Sequence, residues 1–233
     1  MSNRTVHFTD LGLKEYKETW DYQEQLFNAS QEIKQNIGLT SPPPPTPNYL
    51  IFCEHPHVFT LGKSGSENNL LINLIQLKAK NAVFFKTNRG GDITYHGPGQ
   101  IVGYPILDLE NFSLGIKSYI DYLEEVIILT LKEFEITSER LAGATGVWID
   151  SNKPSARKIC AIGVRASRYI TMHGFALNVN TDLSYFSHIN PCGFTDKTVT
   201  SMQKELGRDI PLDEVKKSLK NNFEDVFKMK LIN

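Results

Sequence analysis

Residues 190–197, NPCGFTDK, set a cysteine between a proline and a glycine. Pro191 fixes its own backbone and Gly193 lets the chain turn with no side chain in the way. Cys192 is therefore expected to present its sulfur on a stiff, open corner. That placement suits a reactive thiol better than a packing one. A free thiol ionises near pH 8.5, so only a few per cent is thiolate at neutral pH. A nucleophile at position 192 needs a cation or a base beside it, and the fold must bring that group from elsewhere in the chain.

A second stretch, NRGGDITYHGPGQ (residues 88–100), holds four glycines and a proline. Backbone without side chains allows close approach of a ligand or of another chain segment. A strand-like run follows it instead of a helix, so it is neither a dinucleotide-binding GxGxxG turn nor a P-loop. An apolar or acyl ligand along the glycines fits the composition better than a phosphate does; an ordinary glycine-rich connection is the alternative.

CEHPH, residues 53–57, crowds a thiol, a carboxylate and two imidazoles into five positions. Cys53 and His55 would leave one face of a strand while Glu54 leaves the other, and no second ligand pair is suitably spaced. Packing at a strand end is expected, and no metal. Cys160, between Ile159 and Ala161, reads as a buried thiol.

These residues need a scaffold. Leu13, Tyr16, Trp20 and Phe27 recur at helical spacing, which predicts an amphipathic helix over about 10–36. GLTSPPPPTPNY ends it, and a proline-rich loop over about 38–47 is expected inside one domain. YLIFCE, AVFFKT, GQIVGYPILDL, GVWID, KICAIGVRA and YITMHGFALNV read as strands. Helices are expected from Leu114 to Phe134, with Ile116, Ile120, Leu123, Ile127 and Leu131 inward, and from Leu212 onward, with Val215, Leu219, Phe223 and Val226 inward. The pattern is α/β, a mixed sheet core flanked by helices, in a single domain over 1–233.

The chain has 233 residues, a net charge of −1 and three cysteines. This balance gives no support to nucleic-acid binding, and the sparse cysteines argue for a reducing compartment. MSNRTVHFTDLGLKEYKETW has no secretory apolar run and VIILTL is too short to span a bilayer. A cytoplasmic protein away from membranes is expected.

RGGDITYHGPGQIVGYPI, KICAIGVR, HGFALNVNTDL and INPCGF occur in that order, with EHPHVFTLGKSG before them. Together they resemble the lipoyl(octanoyl) transferases, over about residues 50–205. The resemblance implies the fold of the biotin and lipoate protein ligases and a cofactor-free transfer of an octanoyl group. The donor would be octanoyl-acyl carrier protein. The acceptors would be lysines on the lipoyl domains of 2-oxo acid dehydrogenases and on the glycine cleavage H protein.

It places the acyl-thioester cysteine at Cys192 and the lysine that lowers its pKa at Lys158. The acyl pocket falls on Arg89, Gly90, Gly91, Asp92, Ile93, Thr94, Tyr95 and His96, on Ala161, Ile162 and Gly163, and on His173, Gly174 and Phe175. His96 and His173 are expected to shape the pocket more than to act as bases. The chain departs from the family pattern at the SPPPP insertion and at His57. Lys153, Arg157, Lys158, Arg165 and Arg168 form a cationic hairpin, either a solvated face or a steering rim for acidic partners. The alternative reading is an ATP-dependent lipoate or biotin-type ligase, for which Cys192 would be dispensable.

Overall fold

The computed structural model describes residues 3–36, 45–190 and 198–233. β1 (Thr5–Leu13) leads into α1 (Tyr16–Gln35), and β2 (Asn48–Glu54) and β3 (Val58–Leu61) follow. Next come α2 (Leu74–Ala79), β4 (Val83–Lys86), β5 (Ile93–His96) and β6 (Gln100–Ile106). α3 (Ile116–Glu133) precedes β7 (Glu139–Leu141), β8 (Ala144–Ile149), β9 (Arg157–Ser167) and β10 (Ile170–Asn178). β11 (Thr198–Val199), α4 (Met202–Leu206), α5 (Leu212–Phe227) and β12 (Lys230–Ile232) complete the described chain.

One large sheet runs β12-β1-β2-β6-β10-β9-β8-β7, with β11 on β9, and a small one runs β4-β3-β5. β1 is parallel to β2 and β12, whereas β2, β6, β10, β9, β8 and β7 are antiparallel in turn. This is the expected mixed α/β architecture.

The period of two along each strand explains the layers. In β2, Leu50 and Phe52 join Ile101 and Leu177 in the core that holds Leu123 and Ile127 of α3 and Leu219 and Phe223 of α5. The alternate residues Ile51 and Cys53 pack with Val102, Tyr104 and Phe27 of α1 on the opposite face. A strand covered on both sides reads as the continuous apolar run YLIFCE. In α3, Leu123, Ile127 and Leu131 are fully buried as their spacing requires, but Ile116, at the first turn, is 44% exposed.

The first element differs from expectation. Residues 5–13 are a strand, and the helix starts at Tyr16. β1 lies between β2 and β12, pairing His7 with both Tyr49 and Ile232. Partners so distant in sequence outweigh the local helical spacing, and Leu13 ends the strand exposed. The proline-rich loop falls largely on residues 37–44, outside the described residues.

Gly103 of β6 faces Phe175, whose ring occupies the place a Cβ would need. Gly103→Ala should therefore destabilise the protein by roughly 1–3 kcal/mol through overpacking, read as a lowered midpoint in urea.

Candidate active site

A cavity of about 450 Å³ opens where the small sheet meets the large one. Arg89, Gly91, Asp92, Ile93, Thr94 and His96 form one wall. Lys158, Ala161, Ile162 and Gly163 of β9 and His173, Gly174 and Phe175 of β10 form the other. Gly90 and Tyr95 stand behind this lining: Gly90 N donates to Val164 O at 2.9 Å. Tyr95 is fully buried, bonded to His57 Nδ1 at 2.7 Å and stacked on Tyr185. His57 stacks on the same Tyr185 at 4.2 Å, so it belongs to an aromatic column.

Arg89 organises the glycine loop from inside. Its guanidinium donates to Thr60 O (2.6 Å), Asp92 O (2.7 Å), Gly90 O (2.9 Å) and Thr60 Oγ1 (3.0 Å). A Cβ on Gly163 would stand 2.9 Å from Gly90 O. Here the missing side chain serves the approach of two chain segments as well as the cavity.

A directional series of hydrogen bonds starts at Thr60. Gln100 Nε2 donates to Asn178 Oδ1 at 2.8 Å and to Tyr95 O at 3.2 Å, which turns its Oε1 toward His96 Nδ1, 2.8 Å away. His96 therefore carries its proton on Nδ1, and Nε2 accepts from Thr60 Oγ1 at 3.3 Å. Asn178 Nδ2 completes the series on Thr200 O at 3.0 Å. Burial pushes the His96 pKa down to about 3, helped by His55 and by the Arg89 charge.

His173 is held similarly. Its backbone N–H donates to Gln23 Oε1 at 3.1 Å, and Nε2 donates to Asn88 Oδ1 at 2.6 Å. Its φ of 60° is strained for a side-chain-bearing residue, and α1 supplies the partner that holds it. Burial, then Arg89 and Arg165, pushes its pKa down to about 3. Both histidines are hydrogen-bonded residues of the cavity wall whose pKa values are lowered by burial.

Lys158 lies elsewhere on the cavity wall. Its ammonium donates to Thr145 O at 3.2 Å and sits 4.6 Å from the centre of the Trp148 ring. Gly146, at φ 118°, lies against the neighbouring strand: a Cβ there would stand 2.6 Å from Cys160 O. β10 pairs with β9 from Cys160 onward, and β11 takes up the stretch before it, setting Val199 opposite Lys158.

Cys192 lies outside the described residues. The chain reaches Asn190, whose N–H donates to Asn69 O at 2.8 Å, and is described again from Thr198, which pairs with Arg157. Thr198 and Val199 both line the cavity.

The sequence profile of the lipoyl protein ligase A/B catalytic domain matches residues 15–224. The chain belongs to that family. Among its relatives, the octanoyltransferase of Christiangramia forsetii is 58% identical over 230 residues, 98% of each chain. That of Flavobacterium psychrophilum is 58% identical over 226 residues, 97% of each. A putative lipoate protein ligase from T. acidophilum shares the fold, with a TM-score of 0.66 at 16% identity over all of this chain and 88% of that one. The chain is an acyltransferase of the lipoyl protein ligase A/B family.

Sequence reading missed several walls of this site, among them Tyr16, Gln100, Thr145, Trp148 and Asn178. Among the described residues no group of three or more His, Cys, Asp and Glu side chains is placed to hold a metal ion, and the side chains of CEHPH are engaged in packing and hydrogen bonds. His55 donates to Lys14 O at 2.6 Å and accepts from Tyr104 at 2.7 Å. Cys53 and Cys160 are buried, and burial pushes both thiols up. The cationic hairpin is partly paired internally: Lys153 and Arg157 both reach Asp150, and Arg157 also reaches Glu205.

His55, His96 and His173 have folded pKa values of about 4, 3 and 3, below the ordinary 6.5, chiefly through burial. Below pH 6.5 the unfolded chain binds protons the folded one excludes. Their contribution is complete above that pH and is lost as pH falls toward the folded values. Three protons correspond to a slope of up to about 4 kcal/mol per pH unit near pH 5. Urea unfolding between pH 7 and 4.5 should show it; a slope below one proton's worth would mean these histidines are not excluded from protonation.

Proposed function

We propose that this acyltransferase moves an octanoyl group from octanoyl-acyl carrier protein to a lysine of lipoyl domains, through a thioester on Cys192. The observation that carries the reading is Lys158 on the cavity wall, paired with Val199 six positions beyond the end of INPCGF's cysteine–glycine pair. The cavity volume lies within the roughly 300–1,000 Å³ of small-molecule sites. Each methylene buried against Val102, Ile162 and Phe175 contributes ~0.8 kcal/mol. Acceptors on the 2-oxo acid dehydrogenases and the glycine cleavage H protein follow from the resemblance.

In the first half-reaction Cys192 thiolate attacks the donor carbonyl. A new S–C bond forms, the carrier's S–C bond breaks, and the departing carrier sulfur takes a proton from the Lys158 ammonium. In the second, the acceptor amine attacks the thioester, its N–C bond replaces the Cys192 S–C bond, and Lys158 takes the proton. The cycle closes with ammonium and thiolate restored, and no ATP is consumed.

The test is intact mass spectrometry of the full chain mixed with octanoyl-acyl carrier protein without ATP. A hydroxylamine-sensitive octanoyl adduct on Cys192, discharged by apo lipoyl domain, is expected. Octanoylation that appears only with ATP and free octanoate would make the chain a ligase. Lys158→Ala should slow adduct formation at pH 7 by at least about tenfold, the rate recovering as pH rises toward 9, since the cation's loss raises the thiol pKa by roughly 1–3 units. A pH–rate profile that does not move would remove Lys158 from this role.

A further inference from the structure

Helix α2 turns apolar residues toward water. Leu74 and Ile75 are 79% and 81% exposed, with Leu71 and Val83 also exposed. These are four of the eight large hydrophobic side chains exposed among the described residues, and they fall within residues 71–83. The helix is well formed: Asn73 and Gln76 make a reciprocal capping box, and Leu77 is buried beneath it. Exposed leucine and isoleucine on a capped, anchored helix contribute nothing to folding, and a contiguous apolar patch marks an interaction surface.

Charge along this stretch of the chain is uneven. Residues 55–88 carry Lys63, Lys78, Lys80 and Lys86 against the single Glu67, whereas the rest of the chain holds 21 cations and 25 anions. Lys63, Lys78 and Lys86 are exposed. Lys86 pairs with Glu67, and Lys80 lies over Tyr185. The cationic hairpin of β8 and β9 is likewise partly paired, with Asp150 and Glu205.

The patch is joined to the site through backbone. Leu71 N donates to His188 O at 2.9 Å, Leu70 bridges Ile189, and Asn69 O receives Asn190 N. Asn69 Nδ2 also donates to Asp92 Oδ2 at 2.7 Å, and Asp92 lines the cavity. Phe186, another wall residue, packs in the cluster of Leu70, Ile72 and Leu77. The connection ends two residues before Cys192.

We propose that the exposed face of α2, with Leu71, Leu74 and Ile75 inside a rim of Lys63, Lys78 and Lys86, docks the acidic carrier protein that delivers the acyl thioester. This rests on the acyl-transfer reading above. The lysine rim complements an acidic partner and steers it. The donor fits better than the acceptor domain because only the donor arrives with an aliphatic chain, and Leu70, Ile72 and Leu77, beside the patch in sequence, pack with the wall residue Phe186. The acceptor brings an amine and no aliphatic chain.

The test is Leu74→Glu combined with Ile75→Glu in the full chain, with Lys78→Glu as a second variant. Both sites are exposed, and glutamate in the first turn of α2 suits the helix. Three quantities are read: octanoyl-enzyme formation from the acyl carrier protein, the same from octanoyl-N-acetylcysteamine, and carrier binding by fluorescence anisotropy. The carrier-dependent rate and affinity should fall at least about tenfold, as for a central anchor. The small thioester should react at the wild-type rate. In Lys78→Glu the association rate and its dependence on salt should both fall.

Unchanged carrier binding would overturn the proposal, as would equal loss with both thioesters. So would a defect confined to discharge by the lipoyl domain, or a wild-type dimer that the variants dissociate, which would assign the face to the acceptor or to a second copy. If wild-type protein forms no adduct with either thioester, the acyl-thioester reading fails by itself, and anisotropy still decides whether the carrier docks here.

Discussion

The buried series of hydrogen bonds from Arg89 through Thr60, His96, Gln100 and Asn178 to Thr200 is the constraint on which the site depends. It crosses from the small sheet to the large one and ends beside Lys158, whose carbonyl accepts from Thr200 N. Every link runs in the same donor-to-acceptor direction. Such a chain polarises cooperatively, but only while each member keeps its role. A proton on His96 Nε2 would set two donors facing each other at Thr60, so the low pKa of His96 and the connection between the sheets express one requirement.

That requirement explains how polar groups can line this cavity. Isolated, a buried guanidinium or imidazole would be costly. Arg89 is satisfied by two backbone carbonyls of its own loop, by Thr60 O and by Thr60 Oγ1. Its charge, fixed there, lowers the basicity of His96 and His173. The site thereby holds two neutral imidazoles beside the Arg89 cation, with the Lys158 ammonium elsewhere on its wall.

The legible parts of the molecule were those with local periodicity. YLIFCE alternates between two cores, and Leu123, Ile127 and Leu131 repeat on one helical face, so both elements are readable without partners. β1 was not, because HFTDLGL is a strand only by virtue of residues near 49 and 231. The same holds in the site. Glycine and histidine motifs pointed to two walls, since unusual residue types mark close backbone approach. Thr60, Gln100 and Asn178 are ordinary polar residues with no common spacing, and only the sheet register brings them together.

Lys158 shows how this ammonium is prepared before any substrate arrives. A lysine side chain loses up to ~2 kcal/mol of rotamer freedom when fixed. The Trp148 ring under its ammonium returns roughly 0.5–2 kcal/mol, and Thr145 O supplies a charge-assisted hydrogen bond. The register shift at Val147 and Trp148 and the positive φ of Gly146 shape β8 where it runs beside the lysine. All three groups come from β8, whereas the lysine's backbone is held by β8 on one side and β11 on the other. The ammonium is thus fixed by groups already in place in the folded chain, so its ordering cost falls on folding.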